Sequence, residues 1–394
     1  MFFEVLIFLS LGIVLGVLFG IAPGIHPNMI ILLIPLFMTL SSSPLAILAL
    51  IVSMAVVNVL VDFIPSILFG APDPEAALSV LPGHRMLMNG EGYTAIKLAV
   101  IGGLGAVLFC IALLPVIILT VPNIYELSKP VIPFILMGFV GIMVFASKKK
   151  ILSIVCFFLA GTIGMLSFNL PVDNVLVLFP IFSGFFGLPV LLLQMKSRTR
   201  VPEQNLTTDT IEKAKTLKPV VLGSLGGIVS GILPGIGSSE IAGLATIEKN
   251  NRSFLMTLGA IAVANILLSF LALWLIGNPR SGVAVAVQQI MKIGMNEFLF
   301  IVVIALISAA VGALLTLFLS KKIIPIMEKI DYSLVSKLIF ALILIMVFYF
   351  TGVLGLFLAG LCCALGIFVN ITEIKRGLLM GVLILPTILF YFGI

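Results

Sequence analysis

The chain has 394 residues, 61% of them hydrophobic and only 10% charged, with a net charge of +6. That is more apolar surface than a soluble domain can bury, so a soluble enzyme or binding module is excluded. Apolar runs of roughly 18 to 25 residues recur, where a β-barrel would show short alternating segments, and the fold class is therefore an all-α polytopic membrane protein.

The chain starts in the membrane: residues 1–20 lack a basic leading region and an A-x-A-like cleavage site, and read as a retained segment. From Gly12 comes "GIVLGVLFGIAPGIHPNMI", with glycine at every fourth position and then Pro23, Gly24, His26 and Asn28 at membrane depth. Proline removes a ladder donor and glycine relaxes the backbone, so one half-helix should end here and a second begin, capped by Asn28. A long helix follows from about Pro44 and runs into "AVVNVLVDFIPSILFGAPDPEAA", which carries Asn58, Asp62, Asp73 and Glu75. After a tip with His84, Arg85 and Lys97, further spans reach Lys148–Lys150 and then a polar, mixed-charge linker, with a short helix expected around Thr210 to Lys215.

Beyond the linker the pattern returns. "GSLGGIVSGILPGIGSSEI" from Gly223 matches the stretch from Gly12 at an offset of 211, placing Gly223, Gly227, Gly231, Pro234 and Gly235 on Gly12, Gly16, Gly20, Pro23 and Gly24. "AVANILLSFLALWLIGNPRSGVA" from Ala262 matches the stretch from Ala55 at an offset of 207 and pairs Asn265 with Asn58. Two motifs in one order mean a duplication: residues 1–195 are the first repeat, 196–219 a cytoplasmic linker and 220–394 the second repeat.

Lysine and arginine set the orientation. If each half is a re-entrant hairpin broken at Pro-Gly, a long helix, a return helix and three further spans, then Lys129, Arg280 and Lys292 alone among the 22 basic residues fall outside. That threading requires the halves to be inverted. The expected location is the cell membrane, with the linker and most basic residues cytoplasmic.

Inverted repeats with paired helix breaks point to a secondary transporter with a midplane site between the halves. The half-helix N-termini offer free amides and partial positive charge to an anion. The substrate-binding candidates are Gly24, Asn28, Asn58, Gly235, Ser238, Ser239, Asn265 and Arg280. His26, Asp62, Asp73 and Glu240 are candidates for ion coupling, because an ionisable residue at membrane depth is functional by default. Cys110, Cys156, Cys362 and Cys363 form no CxxC pair, no HExxH or GxSxG occurs, and only two histidines are available. Catalysis, a metal site and any cofactor beyond a coupling H+ or Na+ are accordingly not expected.

The G-x3-G-x3-G-x2-P-G pattern at Gly12–Gly24 and Gly223–Gly235, the stretch "SILFGAPDPEAALSVLPGHRMLMNGEGYTAIKLAV" and the element "LIGNPRSGVAVAV" resemble the large membrane subunit (TctA) of tripartite tricarboxylate transporters. The resemblance implies uptake of citrate or other carboxylates driven by an ion gradient. It also implies a small membrane subunit and an extracytoplasmic binding protein as partners, and substrate contacts at Gly24, Asn28, Gly235, Ser238 and Ser239. Ion-coupled uptake of a di- or tricarboxylate by alternating access is thus the leading expectation, and a carrier of an anionic lipid such as polyprenyl phosphate is the alternative. The expected associations are a small anionic solute, the bilayer and a second copy of the chain; nothing points to nucleic acid, since the basic residues are spread over one membrane face.

Overall fold

The computed structural model describes residues 2–22, 34–41, 43–68, 80–172, 174–195, 202–207, 213–232, 241–242, 250–277, 279, 281–327 and 332–393, which are mostly helical and include no strand. Eight helices among them are long and apolar enough to cross a membrane.

The two helices that carry the glycine pattern are α1 (Phe2–Ile21) and α11 (Lys213–Ile232). Gly12, Gly16 and Gly20 of α1 stand 211 residues before Gly223, Gly227 and Gly231 of α11. α1 stops at Ile21, two residues before Pro23, because proline crowds the preceding residue out of helical geometry, and α11 is described as far as Ile232. α2 (Ile34–Leu40) leads to α3 (Pro44–Val61), which continues past a turn at Asp62 into α4 (Phe63–Leu68).

After α5 (Val80–Met88) come α6 (Gly92–Ser128), α7 (Ile132–Phe145) and α8 (Lys150–Ser167). The first half closes with α9 (Asn174–Phe182), a π-helical turn at Ser183–Gly187 and α10 (Leu188–Met195). In the second half α12 (Asn251–Ile276) is the counterpart of α3: its N-cap, Asn250, lies 207 residues after Ser43, the N-cap of α3. Asn250 Oδ1 accepts from Arg252 N at 3.0 Å, and Gly277 ends α12 at φ 69, where only glycine is unstrained. α13 (Gly282–Ile290), α14 (Met295–Met327), α15 (Tyr332–Ile371, broken at Gly352), a 3₁₀ segment (Arg376–Met380) and α16 (Gly381–Phe392) complete the chain.

α1 lies parallel to α3, and α11 lies parallel to α12. Gly12, Gly16 and Gly20 face Leu50, Met54 and Asn58 in turn, as Gly223, Gly227 and Gly231 face Thr257, Ile261 and Leu268. Ser41 Oγ donates to Glu4 Oε1 at 2.5 Å, so by Ser41 the chain is back at the end where α1 began. α3 is buried from Ala46 to Val61, and α12 from Leu255 to Leu273 apart from Asn265, because each is enclosed by both halves. α12 packs along α6 of the first half and α3 along α14 of the second.

The same exchange governs the outer helices. A Cβ on Gly381 would lie 2.5 Å from Phe157 O, and one on Gly184 2.6 Å from Ala359 O. A Cβ on Gly366 would lie 2.5 Å from Phe185 O, and Gly164 meets Val382 O in the same way. The partners correspond at offsets of 202 (359 − 157, 366 − 164) and 197 (381 − 184, 382 − 185). "GFFGLP" from Gly184 and "GVLILP" from Gly381 are a third repeated motif, hidden in sequence because it shares only Gly-x3-Leu-Pro.

At one end of the bundle four separate stretches meet. Arg252 Nη2 pairs with Glu91 Oε1 at 2.7 Å, and Lys321 Nζ sits 5.2 Å over the Tyr93 ring. Gln204 Oε1 accepts from Gly92 N at 2.8 Å, Gln204 Nε2 donates to Leu87 O at 2.8 Å, and Asn205 N donates to Gly90 O at 2.8 Å. The linker is therefore docked on the α5–α6 turn.

Candidate functional site

Glycine at every fourth position removes the side chains from one face of α1 and of α11, and the partner backbones close in. A Cβ on Gly16 would lie 2.7 Å from Met54 O, and one on Gly20 2.8 Å from Asn58 O. In the second half the seam is looser near its end, where a Cβ on Gly231 would lie 3.2 Å from Leu268 Cβ and 4.0 Å from Asn265 Oδ1. Both seams therefore bring the last described turn of a glycine-bearing helix against the asparagine-bearing helix, a few residues before a Pro-Gly pair in the sequence.

The two asparagines occupy one repeat position but differ in surroundings. Asn58 is 2% exposed, and its Oδ1, sealed from solvent, has no hydrogen-bond partner among the described residues. Asn265 is half-buried and its Oδ1 lies 3.3 Å from Ser230 Oγ. Ser230 Oγ is also 3.0 Å from Gly227 O, so its one proton serves two acceptors and Asn265 is satisfied only part of the time. The residue at the position of Ser230 in α1 is Phe19, which has no proton to give. A buried amide oxygen without a donor costs roughly 1–3 kcal/mol, a cost that a bound cation or proton donor would remove.

Asp62 lies one turn beyond Asn58, where α3 passes into α4. Its backbone N donates to Asn58 O at 2.8 Å, and its carboxylate accepts from Ser66 Oγ at 3.0 Å. Asn58, Asp62 and Ser66 are all buried and stand four residues apart, a polar line inside a membrane helix. At the 207 offset Ser269 replaces Asp62; its hydroxyl meets Ser281 Oγ at 2.7 Å, and Ser281 Oγ caps α13 by accepting from Ala284 N at 3.2 Å. The acid is thus present in one half only.

Of the residues expected from sequence, Asn58, Asp62 and Asn265 are described, and each stands beside a glycine seam or one turn beyond it. Gly24, His26, Asn28, Asp73, Gly235, Ser238, Ser239, Glu240 and Arg280 lie outside the described residues. Sequence reading missed Ser66 and Ser230, although four-residue spacing from Asp62 and adjacency to Gly231 were the signals that could have found them. Among the described residues no three His, Cys, Asp or Glu side chains gather as a metal site would need. The described polar groups beside the seams are thus one buried amide oxygen at Asn58, one shared donor beside Asn265 and one carboxylate at Asp62.

The sequence matches the family described as "Tripartite tricarboxylate transporter TctA family" over residues 6–381. An uncharacterized protein of Methanocaldococcus jannaschii is 31% identical over 355 residues, covering 86% of this chain and 87% of the relative. No solved structure matches.

Proposed function

Since the chain belongs to the tripartite tricarboxylate transporter TctA family, we propose that it is an ion-coupled secondary transporter taking up a small di- or tricarboxylate by alternating access. The observation that carries this reading is the pair of glycine seams: at one repeat position α1 and α11 each pack beside a buried or half-buried asparagine, a few residues before a Pro-Gly pair in the sequence. Under this reading the Pro-Gly loops, with Gly24, Asn28, Gly235, Ser238 and Ser239, present backbone amides to the substrate carboxylates, and Arg280 pairs with a carboxylate at the rim.

We assign the coupling ion, H+ or Na+, to the buried line of Asn58 and Asp62, because an acceptor oxygen beside a carboxylate repels an anion and welcomes a cation. His26, Asp73 and Glu240 are the other groups able to carry the coupling charge. Asn265, half-buried and part-satisfied, faces the solute instead.

Inversion of the halves, 1–195 against 220–394, is supported by helix direction. Ala99 and Gly103 meet Gly259 and Val263, and Glu91 meets Arg252, so α6 and α12 run parallel. Lys321, near the end of α14, reaches Tyr93 at the start of α6. The equivalent helices α6 and α14 therefore run antiparallel, which supports inversion over a parallel duplication. The face holding Glu91, Gln204, Arg252 and Lys321 is then the cytoplasmic one. A small membrane subunit and an extracytoplasmic binding protein are the partners this family membership supports.

The test is uptake of labelled citrate and succinate into proteoliposomes under imposed Na+ or H+ gradients. Gly24→Leu and Gly235→Leu should abolish uptake with insertion intact, and Asp62→Asn should leave binding but remove gradient dependence. Normal uptake by both leucine variants, or thermal stabilisation by polyprenyl phosphate and by no carboxylate, would overturn the reading. Cysteines replacing Ser43 and Asn250 should label from opposite sides, since the native cysteines are buried; same-side labelling would defeat the inversion.

A further inference from the structure

Between α7 and α8 three lysines, Lys148, Lys149 and Lys150, stand exposed in succession. A turn from the other half meets them: Lys148 Nζ is 3.9 Å from Glu373 Oε2, with Lys375 and Arg376 directly after. That turn is fixed by the closure of α15. Ile374 N donates to Val369 O at 3.1 Å and Glu373 N to Asn370 O at 3.3 Å, with Glu373 in the left-handed position at φ 57. Closure leaves Lys375 exposed and Arg376 half-buried, and Arg376 Nη1, sealed from solvent, has no hydrogen-bond partner among the described residues. A guanidinium nitrogen held away from water without an acceptor is costly, and an anion relieves that cost.

Two further facts identify the anion. Residues 147–150 and 372–376 hold five cations and a single acid, Glu373, whose contact with Lys148 is exposed and therefore weak. Beside them, Phe145, Ile151 and Ile371 are 75%, 82% and 69% exposed. In a membrane protein, bare cations next to bare apolar side chains mark the level of the lipid headgroups. A small solute would have no use for that apolar rim, whereas acyl chains fill it.

We propose that these two turns form a binding site for an anionic phospholipid with two phosphate groups. Arg376 holds one phosphate once its half-buried guanidinium turns its fork toward the headgroup, and Lys148–Lys150 with Lys375 neutralise the other. The site draws α7 and α8 of the first half to the end of α15 in the second, so the bound lipid ties the outer helices of both halves together. It is separate from the solute site and does not depend on which solute is carried.

The experiment is native mass spectrometry and thermal unfolding of the purified full chain with cardiolipin, phosphatidylglycerol, phosphatidylcholine or inorganic phosphate. Cardiolipin should bind most tightly, phosphatidylglycerol less so, and the other two should give no stabilisation. Near a charged surface each lysine is worth about fivefold in affinity, so the Lys148→Gln, Lys149→Gln, Lys150→Gln triple variant should lose on the order of 100-fold for cardiolipin. Those lysines are exposed, so the triple variant folds. Arg376→Gln should lose the preference for cardiolipin over phosphatidylglycerol, and Arg376→Lys should recover little of it, since an ammonium lacks the fork. Equal binding of phosphatidylcholine, a shift reproduced by inorganic phosphate alone, or an unchanged affinity in the triple variant would overturn the proposal.

Discussion

Replacing Gly16 with alanine tests whether close backbone approach holds the candidate site. The added Cβ would lie 2.7 Å from Met54 O, 2.9 Å from Val57 Cβ and 3.2 Å from Asn58 N, all on or beside the backbone of α3. To reach an ordinary contact of 3.4 Å, α1 must withdraw by about 0.7 Å (3.4 − 2.7). None of these atoms is the end of a flexible chain, so the whole seam opens. Overpacking of this kind costs about 1–3 kcal/mol, from which the better helix propensity of alanine subtracts up to about 1 kcal/mol. The net expectation is a loss of about 0–2 kcal/mol. Gly138→Ala in α7 is the matched control, since nothing lies within 4 Å of its added Cβ; it should be neutral or stabilising by up to about 1 kcal/mol. Thermal unfolding in detergent reads the difference between the two, and carboxylate binding reads the consequence at Asn58. Gly16→Ala as stable as Gly138→Ala, with substrate affinity unchanged, would refute the argument that the seam positions the site.

Three further expectations follow from single interactions. Asn58→Leu should be neutral or stabilising in thermal unfolding, because it removes an unpaired buried amide, while abolishing gradient-driven uptake; a destabilised variant with normal uptake would show the amide to be structural. Gln204→Ala strips Gly92 N of its acceptor and leaves Leu87 O with Gly90 N alone, and should cost about 1–3 kcal/mol, seen as faster hydrogen exchange over residues 87–92. His84, in the short helix α5 outside the spans, has its imidazole pushed below the usual 6.5 by burial. The unfolded chain therefore takes up that proton first as pH falls. The associated stability is intact above pH 6.5 and is lost as pH drops through the lower folded value. His84→Gln should flatten stability against pH below 6.5, measured by unfolding between pH 7 and pH 5.

The four-residue glycine period was legible, but that it serves close helix approach, and against which helices, was decided by packing. The end of α1 ahead of Pro23 was legible too, since proline dictates where a helix stops whatever surrounds it. Asn58 and Asn265 could be paired by repeat position, but not told apart. Their difference depends on Ser230 in one neighbouring helix and Phe19 in the other, which only packing brings within reach. The third repeated motif escaped because Gly184 and Gly381 work through carbonyl oxygens of other helices, Ala359 O and Phe157 O. Backbone atoms leave no trace in a sequence.

By itself, then, the sequence determined the solvent, the helices and the duplication, since these follow from hydrophobic run length, proline and glycine chemistry, and self-similarity. Which helix packs on which was decided by tertiary structure alone. α3 could have packed on α6 of its own half; it runs along α14 instead, and α12 runs along α6, because two apolar helices enclosed on every side can be covered only by both halves together. That exchange puts one polar line with an acid in α3 and one without in α12 inside a shared core, an asymmetry that identical helix patterns do not contain.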